Sequence, residues 1–170
     1  MESGIPALLI AAVLMLSTVF LARGGFMGMD AVGQQLKASE VNIGAQNRTA
    51  VTATEESIDP TGTNITITVL NSGETDISQY SQMDVVLQYF DENGVRYDKW
   101  IPFTSGALNA DTWTTGAFIN DAFEPRILNP GESMEILIRV NPAVGAGTTN
   151  KAVIGTDKGV TLQTYFSGPP

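Results

Sequence analysis

The 170-residue sequence contains no cysteine and no histidine. Without cysteine the chain can form neither disulfides nor thiolate metal sites. Without histidine it lacks the commonest general base and the commonest transition-metal ligand. Basic residues are also scarce, nine against eighteen acids, and the net charge of −9 argues against nucleic-acid binding, which needs clustered lysine and arginine. We therefore expect no enzyme, no cofactor, no metal and no nucleic-acid partner.

Charge and aromatic content divide the chain into two parts. Residues 1–50 contain three acids and three bases, so the whole net charge of −9 falls in residues 51–170. Only Phe20 and Phe26 of the aromatic residues lie in the first part. This division predicts an N-terminal segment, residues 1–47, and an acidic domain, residues 48–170.

An uncharged apolar run occupies residues 5–22. As a helix at 1.5 Å per residue it would be about 27 Å long, close to the ~30 Å of a bilayer core. Apolar side chains lie on every face of it, so the helix must be buried all round, in lipid or in protein. The residues predicted to form the helical core are Ile5, Leu8, Leu9, Val13, Leu14, Leu16, Phe20 and Leu21.

Three interpretations of this run stay open. A secretory signal peptide would need a basic n-region, whereas Glu2 precedes the run. A permanent transmembrane anchor fits the length. A segment that waits in the membrane and then packs against copies of itself is favoured, because helical apolar spacing continues to about residue 45. Gly24 and Gly28 also have the GxxxG spacing that lets helices approach closely.

From about residue 48 the apolar period changes from helical to two, which is typical of half-buried strands. Asn93-Gly94 predicts a type I′ hairpin turn. About seven short strands with regular turn signals predict a β-sandwich. The expected fold class is thus α+β: a long N-terminal hydrophobic helix followed by an all-β immunoglobulin-like sandwich. The predicted strands are residues 65–69, 83–90, 95–101, 134–140, 152–156 and 160–166.

The sequence predicts where the tryptophans and several acidic residues of the second part lie. Trp100 and Trp113 are predicted to pack in the core or between the sheets rather than to form a ligand platform. The acids of Glu55-Glu56, Asp91-Glu92 and Asp157 are expected to be solvated in turns. Neither Asp59-Pro-Thr-Gly nor Asp91-Glu-Asn-Gly has the ligand spacing of an EF-hand, although a calcium site in a loop stays open.

Two sequons, Asn47-Arg48-Thr49 and Asn64-Ile65-Thr66, are candidate N-glycosylation sites. Both asparagines become acceptors if the protein is exported by a glycosylating cell. Because Asn64 alternates with the apolar Ile65, its side chain is expected to point to solvent.

The order of parts resembles a known family. NITITVLNSGETDIS at residues 64–78 is similar to the first strand and turn of archaellin domains. ILNPGESMEILIRV at residues 127–140 is similar to their turn and strand, and TDKGVTLQTYF at residues 156–166 to their closing hairpin. With the hydrophobic helix in front, essentially the whole chain resembles an archaellin, the filament subunit of the archaeal flagellum, or a type IV pilin-like relative.

The resemblance implies a structural subunit that polymerises into an extracellular archaellum filament, with helices in the core and sandwiches on the surface, for motility, with a role in adhesion left open. Its implied partners are copies of itself, the membrane before assembly, an export platform and a prepilin-type peptidase. The basic leader of such proteins is missing, so Met1 is expected to begin the mature chain. Ile5 stands where bacterial pilins carry glutamate, which favours archaellins.

Three alternatives stay open. The first is a membrane-anchored accessory or stator protein of the same machinery. The second is an adhesive pilin, and the third is an anchored carbohydrate-binding module, which would need a row of exposed aromatic side chains.

Overall fold

The computed structural model describes residues 4–170, and within the helix it describes the side chains of residues 8–10, 12–18, 20 and 32–48. Helix α1, Gly4–Arg48, is followed in the described residues by eight strands and one short 3₁₀ helix, Tyr80–Gln82. The strands are β1 Val51–Ile58, β2 Asn64–Asn71, β3 Asp84–Phe90, β4 Arg96–Ile101, β5 Thr112–Ile119, β6 Ser133–Arg139, β7 Thr149–Gly155 and β8 Thr161–Ser167.

The strands form two four-stranded antiparallel sheets, so the predicted β-sandwich is confirmed. The first sheet has the order β1-β2-β6-β5 and the second has the order β4-β3-β7-β8. These orders correspond to the A-B-E-D and C′-C-F-G sheets of an immunoglobulin-type sandwich. Every strand pair within the two sheets is antiparallel.

The core lies between the two sheets and is built mainly from alternate residues of β2, β3, β6 and β7. Alternation follows from the pleat, which sends successive side chains to opposite faces. The fully or almost fully buried side chains are Ile65, Ile67, Val69, Trp113, Met134, Ile136 and Ile138 of the first sheet, and Val85, Leu87, Tyr89, Ile101, Ala152, Ile154 and Phe166 of the second.

Two strands, β1 and β5, do not show apolar residues at every second position. The alternation of apolar residues predicts six of the eight strands and misses β1 and β5. The register of β1 against β2 shifts between Ala53 and Glu55, and that of β5 against β6 shifts between Thr115 and Phe118. Such bulges insert an extra residue and break the alternation of faces. Each is also an edge strand of its sheet, with a single ladder partner.

The turn between β3 and β4 lies where it was predicted, but it is not the predicted type I′ turn. Gly94 has a φ of 72°, whereas Asn93 has no positive φ. A type I′ turn needs positive φ at both central residues, so the turn is not of this type. Instead Gly94 N donates to Asp91 O at 3.0 Å, and the Asp91 side chain accepts from Asn93 N and Val95 N at 2.8 Å each.

Four expectations about the placement of individual residues are wrong. Trp113 is fully buried as predicted, but Trp100 is 61% exposed on the outer face of the second sheet. Asp91 is buried because its carboxylate organises the hairpin. The Asp157 side chain is 1% exposed, and Lys158 Nζ lies 3.3 Å from its Oδ2. Neither acid is therefore a solvated turn charge. Glu55 and Glu56, also predicted to lie in a turn, are in strand β1 and pair with β2.

The chain separates into one unit that ends at Ile43 and a second unit, Gly44–Pro170. In the first unit, the described apolar run covers residues 8–18 without residue 11, which is shorter than the predicted run of residues 5–22. Gly24 and Gly28 lie outside the described side chains. Among the helical side chains that are described, no stretch is long and apolar enough to cross a membrane.

The last turn of α1 belongs to the second unit and is bonded to its loops. Gln46 Nε2 donates to Gly159 O at 3.1 Å, and Glu74 N donates to Arg48 O at 2.7 Å. Gly73 approaches so closely that a Cβ there would lie 2.4 Å from Ala50 N. The unit boundary therefore falls inside the last helical turns.

Candidate interaction surfaces

Among the described residues, the helix has large apolar side chains that are mostly exposed. Leu8 is 74% exposed and Phe20 is 72% exposed. Leu9, Val13, Leu14 and Leu16 are exposed to similar degrees. Of the predicted helix-core residues, Ile5 and Leu21 lie outside the described side chains. Shielding a large apolar side chain from water contributes ~1.5–3 kcal/mol, so this helix is a strong candidate for contact with lipid or with other helices.

A second candidate surface is the outer face of the second sheet, which we call the open face. Val86 of β3 lies between Trp100 of β4 and Val153 of β7 in the strand register. These three side chains make one apolar row across the sheet. Val86 is 39% exposed, and the indole of Trp100 is held by a 2.9 Å hydrogen bond from Nε1 to Asp84 Oδ1. The Trp100 ring is thus fixed in an exposed position.

A polar row runs beside the apolar row. Gln88 lies between Asp98 of β4 and Lys151 of β7 in the same register. Gln88 Nε2 donates to Asp98 Oδ1 at 2.9 Å, and Arg96 Nη2 donates to the same oxygen at 3.0 Å. These bonds lower the pKa of Asp98, the Gln88 bond most strongly. Asp98 is therefore ionised at neutral pH.

Exposed aromatic residues do not line up as a carbohydrate-binding module would need. Trp100 and Tyr165 are both exposed on the open face, but they lie on β4 and β8, the two edge strands of the second sheet. At ~4.8 Å per strand spacing, β3 and β7 separate them by about 14 Å. The described side chains therefore give this function no specific support.

The two sequon asparagines have different surroundings. Asn47 is exposed on the last turn of α1, while the hydroxyl of Thr49 bonds to Ala45 O at 2.8 Å. Asn64 is only half-buried, but its Nδ2 donates to Asp59 Oδ2 at 2.6 Å and its Oδ1 accepts from Arg139 Nε at 2.8 Å. The Asn64 amide therefore links β2 to the preceding turn and to β6. Glycosylation of either residue stays a prediction.

Asp59 organises the turn before β2. Burial raises its pKa, but bonds from Asn64, Thr61 and Thr63 lower it more, so the net pKa is well below its ordinary value. The carboxylate accepts from Thr63 N at 2.9 Å and from Thr61 Oγ1 at 2.8 Å. All these donors come from the same turn, so its role is structural. Among the described residues, no group of three or more acids is placed to hold a metal ion.

The open face is the surface that the sequence does not predict. Its residues come from β3, β4 and β7, and they become neighbours only when these strands pair. The alternation of residues 83–90 does indicate that Val86 lies opposite the core, and this is the one available signal. Trp100 is instead predicted in the core because tryptophan is usually well buried.

The fold and the two surfaces define a class: an immunoglobulin-type sandwich preceded by a helix with uncovered apolar residues. No protein-family model matches this chain, and no curated protein does either. Solved structures do match. The archaellum periplasmic stator protein FlaG from Sulfolobus acidocaldarius is 22% identical, with a TM-score of 0.50, over 69% of this chain and 99% of that chain.

Two further structures are similar. The archaellum periplasmic stator protein complex FlaF and FlaG from Sulfolobus acidocaldarius matches at 20% identity and a TM-score of 0.51, over 68% of this chain and 87% of that chain. The archaeal flagellum of Methanospirillum hungatei strain JF1 matches at 12% identity and a TM-score of 0.57, over 97% of this chain and 93% of that chain. At these identities the likeness shows a shared fold.

Proposed function

We propose that this chain is a non-catalytic structural protein of an archaellum-type cell-surface assembly. Its helix packs among other apolar helices, and its sandwich faces the aqueous exterior. The observation that carries the proposal is the exposure of the described apolar helix side chains, among them Leu8, Leu14 and Phe20. Moving each of these side chains out of water lowers the free energy of the system, so a lone subunit in water is strongly disfavoured.

The properties of the sandwich support an exterior position. It has a closed apolar core of its own, and residues 51–170 carry the whole net charge of −9. Like charge on neighbouring domains opposes their lateral aggregation and keeps the assembly soluble. All three similar structures described above are archaellum components, which supports this proposal.

Within such an assembly, the filament subunit is our first proposal. Residues 5–22 would form one long apolar helix that enters the membrane before assembly and then packs in the filament core. The partners would be copies of the chain, an export platform and a prepilin-type peptidase, and the filament would serve motility. The match to the archaeal flagellum structure supports this proposal because it covers 97% of the present chain.

A membrane-anchored stator-type protein is the second proposal. The similarity to FlaG favours it, since the identity is higher, 22%, and 99% of that chain is covered. In this case the helix anchors the protein and the sandwich binds other components outside the membrane. The apolar helix would then be covered by lipid or by a few partner helices rather than by a polymer core.

Electron microscopy of sheared cell-surface material separates the two proposals. Antibodies against residues 44–170 should label filaments along their length if the chain is the filament subunit. Label confined to the envelope fraction, with filaments unlabelled, supports the stator-type protein. Recovery of the chain as a soluble monomer outside any assembly would contradict both proposals.

A further inference from the structure

The open face differs in charge from the rest of the sandwich. Its charged residues are two acids, Asp84 and Asp98, and two bases, Arg96 and Lys151, so the face is neutral. The sandwich as a whole has fifteen acids and six bases in residues 51–170. The net charge of −9 therefore lies elsewhere on the domain. A neutral face with an exposed tryptophan on an acidic domain is suited to protein contact.

We infer that the open face pairs with the open face of a second copy of this chain about a two-fold axis. The axis runs along β3, above Val86 and Gln88. It places β4 of the first copy over β7 of the second copy. On the other side of the axis, β7 of the first copy lies under β4 of the second. Two sheets can pack in this way with strands nearly aligned and ~10 Å between them.

The two rows are self-complementary under this axis. Trp100 of each copy lies over Val153 of the other, and Val86 lies over its own symmetry mate. Asp98 of each copy lies over Lys151 of the other, so two ion pairs of opposite sense form. Within the described residues, Lys151 has no ion pair in the single chain, which leaves its charge available. This reciprocity is what an isologous interface requires.

The size of the face predicts weak pairing. With the axis along β3, the strands that overlap are β4, β3 and β7. Three strands at ~4.8 Å spacing and seven residues at ~3.3 Å give a flat area of about 330 Å². A standard interface buries ~800 Å² per partner. The pair should therefore form at high local concentration, as in an assembly, and dissociate on dilution. Because an isologous contact closes on itself, it joins copies in twos and does not extend a polymer.

This inference does not depend on which proposed function is correct, because it concerns the sandwich alone. Its test uses the full chain in detergent micelles. The chain has no cysteine, so a single Val86→Cys substitution introduces the sole thiol, next to the axis. A short bis-maleimide then reports pairing, since ~10 Å between sheets exceeds the reach of a disulfide. Thr52→Cys, exposed on β1 of the other sheet, is the matched control.

Charge reversal makes the test specific to this geometry. In the Val86→Cys background, Asp98→Lys alone and Lys151→Asp alone each create two like-charge contacts and should lower the dimer yield about tenfold. Mixing the two variant chains should restore the yield. In the mixed dimer, positions 98 and 151 that face each other again carry opposite charges at both contacts. Equal cross-linking of Val86→Cys and Thr52→Cys would show association through the helices only and would overturn the inference. Failure of the mixture to recover would also overturn it.

Discussion

Asp59 binds Asn64 twice: its Oδ1 accepts from Asn64 N at 3.1 Å, and its Oδ2 accepts from Asn64 Nδ2 at 2.6 Å. The same asparagine accepts from Arg139 Nε at 2.8 Å. The Asp59 carboxylate thus holds the first residue of β2 in place. Through its bond to Arg139, the Asn64 side chain also connects this end of β2 to β6. Two consequences can be measured, one for stability and one for its pH dependence.

Replacing Asp59 by alanine should destabilise the sandwich by about 1–3 kcal/mol, because several donors lose their acceptor. Urea unfolding at pH 7, followed by tryptophan fluorescence, measures the loss. Asp76→Ala removes an exposed acid and serves as the control. Equal stability of the two variants would show that the turn does not depend on the carboxylate.

The pH dependence follows from the lowered pKa of Asp59. Its folded pKa lies below the ordinary value of 3.8, so its contribution is complete above that value and is lost as the pH falls further. Between pH 5 and pH 2.5 the parent should therefore lose more stability than Asp59→Ala. Parallel losses in the two proteins, in urea titrations at each pH, would contradict the structural role.

The two tryptophans give a matched pair of core and surface substitutions. Trp113 is fully buried and meets Phe103 edge-on, with 4.9 Å between ring centroids. Trp113→Ala should cost about 3–5 kcal/mol, as large-to-small core changes do. Trp100→Ala should change stability by no more than about 1 kcal/mol, because Trp100 is mostly exposed. Denaturant titrations that rank the variants in the opposite order would refute the burial assignment.

The last helical turn should contribute to the stability of the sandwich. A fragment of residues 44–170 keeps the bond from Gln46 to Gly159 and the bond from Glu74 to Arg48. A fragment of residues 50–170 loses both, and we expect it to be less stable by about 1–3 kcal/mol. Both should be soluble, acidic, β-rich monomers at micromolar concentration by circular dichroism and light scattering. Predominant helix in either spectrum would refute the two-part organisation.

Leu14→Asp tests the helix as an assembly element. Leu14 is exposed in the single chain and would be covered in any helical core or membrane. A carboxylate buried there without a partner costs several kcal/mol or must be neutralised. We expect loss of surface assemblies in micrographs, while the circular dichroism of the sandwich is unchanged. Lys37→Asp, in the later polar part of the helix, is the control, and normal assembly by Leu14→Asp would remove the proposed role.

Lateral association of assemblies should depend on pH. The acidic coat repels over about one Debye length, ~8 Å at physiological salt. Near the isoelectric point of 4.3 the repulsion vanishes, so light scattering should rise as assemblies bundle. At neutral pH the assemblies should persist from low to high salt, because apolar helix packing resists screening. Dissociation on adding salt would show that charge pairs hold the assembly together.

Local patterns in the sequence determined the two-part organisation and most of the sandwich. A helical period before residue 48 and a period of two after it reflect how each backbone presents its side chains. Six strands follow from that alternation. The strands β1 and β5 do not, because a bulge within each strand shifts the register and mixes apolar with polar positions. Asn93-Gly94 predicted the place of a turn, but the Asp91 carboxylate selected its conformation.

Only the tertiary structure decided what each outward side chain meets. Trp100 and Trp113 are chemically alike, and β4 turns one to solvent while β5 turns the other to the core. Asp98 and Lys151 are distant in sequence, and they share a row only because β3 pairs with both β4 and β7. The alternation of apolar and polar residues along one strand indicates which of its residues share a face. Which strands lie side by side depends on contacts between distant parts of the chain, and these create the open face.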